Sequence, residues 1–162
     1  LGGGYPEIHA ATLSQNSSML ASVQQAHQRG VPIYAECGGL MYLGGSLTTA
    51  SGDSYPMAGI FPGESRMTTS LKRFGYCQAQ AEQATLLAKT GDVIRGHEFH
   101  YSDFHTDTET VFRFSKERDG VELTHWQGGY QAGNTLASYL HVHFLQNPAM
   151  LLRWFEIARA VK

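Results

Sequence analysis

Cys37 is the residue of this sequence whose type and position point most directly to chemistry. It follows an apolar run, residues 31–35, that is typical of a buried parallel strand, and it precedes a helical pattern. Gly38 and Gly39 allow the sharp strand-to-helix turn of a nucleophile elbow. A helix N-terminus stabilises a thiolate, because its free N–H groups and its dipole favour negative charge. We therefore predict a nucleophilic Cys37, with the N–H of Gly38 directed at the oxygen of the attacked carbonyl.

A buried cysteine without a chemical role is the alternative for both cysteines of the chain. For Cys37, the glycine pair after it and the apolar strand before it favour the elbow. Cys77 lies in the alternating stretch 74–78 without such a turn, so we predict that it belongs to the core. Two thiols in 162 residues do not indicate a disulfide framework, which favours a reducing, cytoplasmic setting.

A thiol nucleophile requires an imidazole that takes its proton. His141 and His143 lie at the end of the apolar stretch 136–144, where strand alternation places them on one face. The carboxyl ends of strands in an open α/β sheet meet at one edge, where the elbow also lies. We therefore predict His141 as the base for Cys37. A structural histidine bonded to the backbone is the alternative for both, and it is favoured for His143.

The chain begins with a glycine-rich segment, residues 1–4, that has the character of a strand end running into a loop. This start leads us to expect a fragment of a longer protein, with a partner domain upstream. Backbone N–H groups of such a loop can bind a substrate oxyanion, although a flexible linker is the alternative. The loop lacks the Lys-Ser/Thr pair of a phosphate-binding loop, so no nucleotide site is expected here.

The bulk composition excludes several classes of function. The formal net charge is −2 and no run of Lys or Arg occurs, so nucleic acid is not an expected partner. The longest apolar stretches are too short to span a bilayer, so no membrane partner is expected either. The spacing of His97, His100 and His105 does not match a zinc pattern, and we expect no metal site.

Helical and strand patterns alternate at the front of the chain, and strand patterns dominate its middle. The predicted helices cover residues 15–29, a segment from residue 40, and residues 148–161. The predicted strands cover residues 31–35, 73–82, 93–101, 111–115, 121–126 and the apolar stretch 136–144. Turn residues throughout 44–70 predict a loop with short ordered pieces. This order favours an α/β sheet of mixed direction.

Four segments together carry a resemblance to a known family. Residues 2–7, 35–43, 96–102 and 137–144 occur in the same order as in cobyrinic acid a,c-diamide synthases. Over essentially its whole length the chain resembles their C-terminal, class I (triad-type) glutamine amidotransferase domain. The resemblance implies an open, mostly parallel, flavodoxin-like sheet with flanking helices and additional antiparallel strands. It also implies the following roles: Cys37 as nucleophile, His141 as catalytic histidine, and Gly3, Gly4 and Gly38 as oxyanion positions.

The resemblance further implies the chemistry of a longer enzyme, in which residues 1–162 form the glutaminase domain. An N-terminal domain would bind ATP and Mg, receive ammonia from glutamine, and convert the a and c acetates of cobyrinic acid to amides in cobalamin biosynthesis. The implied partners are glutamine and a corrinoid acceptor, with a homodimer as a further option and no cofactor within this segment. The alternatives are another acceptor (cobyric acid or a nickel sirohydrochlorin), a non-catalytic domain of this fold, and, more weakly, a cysteine peptidase.

One position departs from the ordinary triad, which has a Glu two residues after the catalytic histidine. His143 occupies this position, as the resemblance to the cobyrinic acid branch implies. The group that orients His141 is thus unassigned. Glu98 and His143 are candidates for it, with a structural carboxylate as the alternative for Glu98. Arg73 or Arg66 is a candidate for binding the α-carboxylate of glutamine, with a solvated surface charge as the alternative.

We predict that a glutamine-like electrophile, such as diazo-oxo-norleucine, labels Cys37 and leaves Cys77 unmodified. The reason is that Cys37 alone lies at a predicted helix N-terminus, where a thiolate is stabilised. Mass spectrometry of the labelled peptides checks this expectation, and equal labelling of both cysteines would contradict the elbow.

Overall fold

The computed structural model describes residues 1–161. Its helices are α1 (Ala10–Gln15), α2 (Ser17–Gln28), α3 (Gly38–Leu43) and α4 (Pro148–Ala160), with 3₁₀ segments at Pro6–His9 and Phe144–Gln146. The strands are β1 (Ile33–Glu36), β2 (Gly44–Thr48), β3 (Ser54–Pro56), β4 (Phe61–Met67), β5 (Arg73–Ala81), β6 (Val93–His100), β7 (Ser102–His105), β8 (Thr110–Arg118), β9 (Val121–Ala132), β10 (Thr135–Ser138) and β11 (His141–Val142).

The larger of two sheets has the strand order β1-β10-β9-β8-β5-β6-β11. β1 and β10 run parallel, whereas the other neighbouring strands of this sheet are antiparallel. The predicted α/β fold with a mixed sheet and flanking helices is confirmed. The expectation of a mostly parallel sheet is corrected, because antiparallel strand pairs dominate this sheet. The short links explain this difference. Asp119 and Gly120 alone join β8 to β9, and a two-residue link makes an antiparallel hairpin, whereas a parallel crossover needs a dozen residues or more.

The second sheet has the order β3-β2-β4-β7, and most of it comes from the stretch expected to be a loop. Gly44, Gly45 and Gly63, which suggested turns, lie in strands and permit close approach of their neighbours. A Cβ at Gly45 on β2 would lie 2.9 Å from the carbonyl oxygen of Gly63 on β4. Glycine at this position therefore lets the two strands approach each other closely. The prediction of a loop over residues 44–70 is therefore corrected to three strands with short links.

The helix signals of the sequence are confirmed at both ends of the chain. Asn16 caps α2, because its side-chain oxygen accepts a hydrogen bond of 3.2 Å from the N–H of Met19. Asn147 caps α4 in the same way, accepting from the N–H of Ala149 at 3.0 Å, and Pro148 occupies the first helical position. None of the helices within residues 1–161 has the length and apolar character needed to cross a membrane.

Two hydrophobic clusters fill the interior, and Cys37 and Cys77 lie in different environments relative to them. One cluster packs α4 against the larger sheet, and Cys77 lies in it with 5% of its surface exposed. Burial raises the pKa of the Cys77 thiol to about 12, so it is neutral at physiological pH. The prediction that Cys77 belongs to the core is confirmed. The other cluster surrounds α3, the helix that begins directly after Cys37.

The parallel pair of β1 and β10 brings the two distant segments of the site together. Glu36 at the end of β1 is in register with Ser138 at the end of β10. The ladder continues for one more bond, because the N–H of Cys37 donates to the carbonyl oxygen of Ser138 at 2.7 Å. His141 follows three residues later and begins β11, which pairs with β6. The chain thus delivers the thiol and the imidazole to the same edge of the sheet.

Candidate active site

Cys37 forms a strained turn between β1 and α3. Its φ of 48° and ψ of −103° are sparsely populated by residues other than glycine, and such strain is common at functional sites. The side chain is 8% exposed, and its sulfur lies 3.9 Å from the carbonyl oxygen of Phe99 on β6. The backbone holds this conformation through the bond to Ser138 and through the N–H of Met41, which donates to the Cys37 carbonyl at 3.2 Å.

Glycines allow the first loop of the chain to pack directly against this turn. A Cβ at Gly38 would lie 2.8 Å from the carbonyl oxygen of Gly4, too close for any larger residue. A Cβ at Gly3 would lie 2.4 Å from the Cε1 atom of His141. The structure therefore brings together five of the predicted positions, namely Cys37, His141, Gly3, Gly4 and Gly38. A small cavity of about 60 Å³ opens between Cys37, Gly4 and β6.

His141 is the imidazole that lies beside Cys37. The interaction with the Cys37 side chain, followed by that with Glu36, raises the pKa of His141 from 6.5 to about 10. Burial opposes this shift but is outweighed, so the ring is cationic at neutral pH. His143 lies just beyond β11 and is exposed to solvent.

Glu36 is the carboxylate that faces His141, and the sequence reasoning missed it. Its Oε2 lies 3.7 Å from Nδ1 of His141, and its Oε1 accepts from the N–H of Val142 at 2.8 Å and from the hydroxyl of Tyr34 at 3.0 Å. Burial alone would raise the pKa of Glu36, but the hydrogen bonds from His141, Val142 and Tyr34 together lower it. Strand alternation places Tyr34 and Glu36 on one face, but this signal does not indicate the contact with His141.

Glu98 lies on the other side of the sheet from His141. His141 is in register with His97, so the neighbouring residue on β6 points the opposite way. There Glu98 is 3% exposed, and its Oε2 lies 3.9 Å from Nε2 of His100. The expectation that Glu98 orients His141 is therefore corrected, because the structure places Glu36 in that position.

The two arginines considered for substrate binding lie away from the Cys37 sulfur. The guanidinium of Arg73 lies 4.7 Å from the centre of the Trp126 ring and borders the cavity that contains Glu98. Arg66 pairs with Glu64 at 2.7 Å and is largely exposed. Neither arginine lines the small cavity at Cys37.

The comparisons with known proteins agree on one family. Residues 1–149 match the CobB/CobQ-like glutamine amidotransferase domain. The cobyrinate a,c-diamide synthase of Salmonella typhimurium is 59% identical over 161 residues, covering 99% of this chain and 35% of that protein. The synthase of the same name from Listeria innocua is 56% identical over 155 residues, covering 96% of this chain and 34% of that protein. The chain thus spans about a third of the length of these relatives.

Solved structures support the fold independently. A glutamine amidotransferase from Thermotoga maritima aligns with a TM-score of 0.55 at 13% identity, covering 98% of this chain and 60% of that one. A second glutamine amidotransferase aligns with a TM-score of 0.56 at 15% identity, covering 98% of this chain and 77% of that one. At such low identity the alignments establish the fold alone.

We predict that Gly3→Ala slows the alkylation of Cys37 by iodoacetamide by roughly tenfold, the effect of about 1.4 kcal/mol. The new Cβ would overlap the His141 ring and displace the imidazole from the sulfur. Gly2→Ala is the matched control, because a Cβ there meets no atom within 4 Å. The rate is measured by mass spectrometry of the Cys37 peptide. Equal rates for the two variants would show that His141 does not assist the thiol.

Proposed function

Because this chain belongs to the CobB/CobQ-like glutamine amidotransferase family, we propose that it hydrolyses the side-chain amide of glutamine at Cys37. In this proposal Cys37 is the nucleophile, His141 the proton carrier, and Glu36 the group that orients His141. The observation that carries the proposal is the strained elbow of Cys37, with the glycine loop of residues 1–4 packed between this turn and the ring of His141.

The proposed reaction has two halves. The Cys37 sulfur attacks the side-chain carbonyl carbon of glutamine, and the negative oxygen is stabilised by backbone N–H groups of Gly38 and of the loop at Gly3 and Gly4. The carbon–nitrogen bond then breaks, and the nitrogen leaves as ammonia with a proton from His141. A water molecule cleaves the remaining thioester, with His141 accepting its proton, and releases glutamate and the free thiolate.

The charge of His141 suits both halves of this reaction. With a pKa of about 10, His141 carries the proton that the leaving nitrogen needs and provides a positive partner for the thiolate. Glu36 lies beside Nδ1, which leaves Nε2 for the sulfur and the leaving group. A carboxylate on one ring nitrogen fixes the tautomer and the ring orientation, as in other nucleophile–histidine–carboxylate arrangements.

We extend the proposal to the longer protein that the relatives represent. Relatives named cobyrinate a,c-diamide synthase share up to 59% of the residues and are about three times as long as this chain. In our proposal a further domain binds ATP and Mg, activates the a and c acetate groups of cobyrinic acid, and combines them with the ammonia, as a step of cobalamin biosynthesis. Amidation of a different tetrapyrrole acid is the second candidate. The free thiols of Cys37 and Cys77 support a reducing, cytoplasmic setting.

We predict that Cys37→Ser in the full-length protein abolishes glutamine-dependent amide formation and preserves amide formation with an ammonium salt. The substitution removes the nucleophile that frees ammonia but leaves the use of ammonia intact. Amide product is measured with either nitrogen source, and Cys77→Ser serves as the control that retains both activities. Loss of both activities in a folded Cys37→Ser protein would contradict the assignment.

We predict that Glu36→Gln lowers glutamine hydrolysis by roughly a hundredfold, the lower end of the range for general acid–base effects. The amide keeps the shape of the side chain but removes the charge that orients His141 and favours its cation. His143→Asn is the matched control, since His143 is exposed beyond β11, and it should cost far less. Glutamate release is the measurement. A larger loss for His143→Asn than for Glu36→Gln would reverse the two roles.

A further inference from the structure

Tyr34 is a buried residue of β1 that lies two positions before Glu36 and three before Cys37. It is 6% exposed, and strand alternation places its side chain on the same face as that of Glu36. Its hydroxyl donates a hydrogen bond of 3.0 Å to Oε1 of Glu36. An ionised carboxylate only accepts, so the direction of this bond is fixed.

The Tyr34 hydroxyl remains a donor at physiological pH. Burial first, and the negative charge of Glu36 second, raise the pKa of Tyr34 well above 10. The hydroxyl therefore keeps its hydrogen while Glu36 is charged. A hydrogen bond to a charged group is worth more than one between neutral groups, so its loss should be measurable.

The two oxygens of Glu36 have separate tasks, and Tyr34 serves one of them. Oε1 accepts from Tyr34 and from the N–H of Val142 at 2.8 Å, whereas Oε2 lies 3.7 Å from Nδ1 of His141. The carboxylate cannot turn without losing both bonds to Oε1. Without the hydroxyl, Val142 alone would hold Oε1, and the direction of Oε2 towards His141 would be less well defined.

Aromatic contacts with the C-terminal part of the chain fix the ring of Tyr34. The ring meets Phe144 edge-on, with centroids 5.5 Å apart and planes at 80°, and Trp154 of α4 at 5.8 Å and 71°. Phe144 and Trp154 also contact each other, with centroids 5.9 Å apart. The ring cannot move without disturbing both neighbours, so the hydroxyl has a defined position above Glu36.

We propose that Tyr34 is a positioning residue for glutamine hydrolysis, which orients Glu36, and through it His141, while Phe144 and Trp154 hold Tyr34 in place. This inference rests on the proposed function. Tyr34 does not line the small cavity at Cys37, so it acts through Glu36 and not on the substrate. Trp154 lies beyond residue 149, where the match to the family ends, and the proposal gives this part of α4 a role in the site.

The hydroxyl is tested by Tyr34→Phe in the full-length protein, because phenylalanine keeps the ring and its packing. We expect kcat for glutamine hydrolysis to fall roughly tenfold, the usual effect of losing one hydrogen bond to a charged group. KM for glutamine should not change, since the substrate loses no contact. Tyr130→Phe is the matched control with a wild-type kcat, because that ring packs against Phe61 and Phe104 in the other cluster. An unchanged kcat in Tyr34→Phe would overturn the proposal.

A double-mutant cycle with Glu36→Gln separates positioning from a general structural effect. If Tyr34 acts through the charge of Glu36, most of the loss caused by Tyr34→Phe should disappear in the Glu36→Gln background. The same fold-loss in both backgrounds would show that the hydroxyl acts elsewhere and would overturn the proposal.

The role of α4 is tested by Trp154→Leu, which removes one of the two rings that hold Tyr34. We expect kcat to fall with an unchanged KM, by less than in Tyr34→Phe. Leu152→Ala is the matched control with a wild-type kcat, because Leu152 is on the same helix and is 63% exposed. If Trp154→Leu does not fold, Phe144→Leu removes the other ring. A wild-type kcat in the ring variants would overturn the contribution of α4.

The contact itself is tested without glutamine, by an NMR pH titration of the Glu36 carboxyl carbon. The hydrogen bonds from His141, Val142 and Tyr34 together hold the pKa of Glu36 below 4.5 against the effect of burial. Tyr34→Phe removes one of these bonds and should raise the pKa of Glu36, whereas Tyr130→Phe should not. An unchanged pKa of Glu36 in Tyr34→Phe would overturn the contact. Because this readout requires no hydrolysis, a failure of the positioning contact is distinguishable from a failure of the proposed function.

Discussion

The carboxylate of Glu36 is the interaction on which the site depends, because it joins two strands that are more than a hundred residues apart in sequence. One oxygen accepts from the backbone of Val142 at 2.8 Å and so ties the start of β11 to the end of β1. The same oxygen accepts from Tyr34, and the other lies beside the His141 ring. A single partly buried carboxylate thus fixes the backbone position of His141 and favours the charged form of its ring.

This arrangement links the stability of the fold to pH through His141. The pKa of His141 is raised from 6.5 to about 10 by Cys37 first and Glu36 second, so protonation favours the folded chain. The contribution is fully present below a pH of about 6.5 and is lost as the pH rises through about 10. The same protonation that the proposed chemistry uses to release ammonia therefore also favours the folded chain at neutral pH.

Local signals in the sequence predicted the parts of the site that depend on a few neighbouring residues. The elbow at Cys37 follows from an apolar run, one cysteine and two glycines, and the structure shows the strained turn there. Glu36 escaped prediction because its role depends on a contact with His141 that sequence spacing cannot show. The two alternatives for Glu98 could not be separated from the sequence, since its direction depends on the register between β6 and β11. The small sheet was missed because its glycines resemble turn signals but serve close backbone contacts, as at Gly45.

The central claim is that Cys37 and Glu36 together hold His141 as a cation. An NMR pH titration of the His141 ring, in the wild type and in Cys37→Ala, measures this most directly. The account predicts that the wild-type ring stays protonated through neutral pH and titrates near 10, and that removing the sulfur moves the pKa down towards 6.5. A wild-type His141 that titrates near 6.5, or a pKa that does not respond to loss of the Cys37 sulfur, would contradict it.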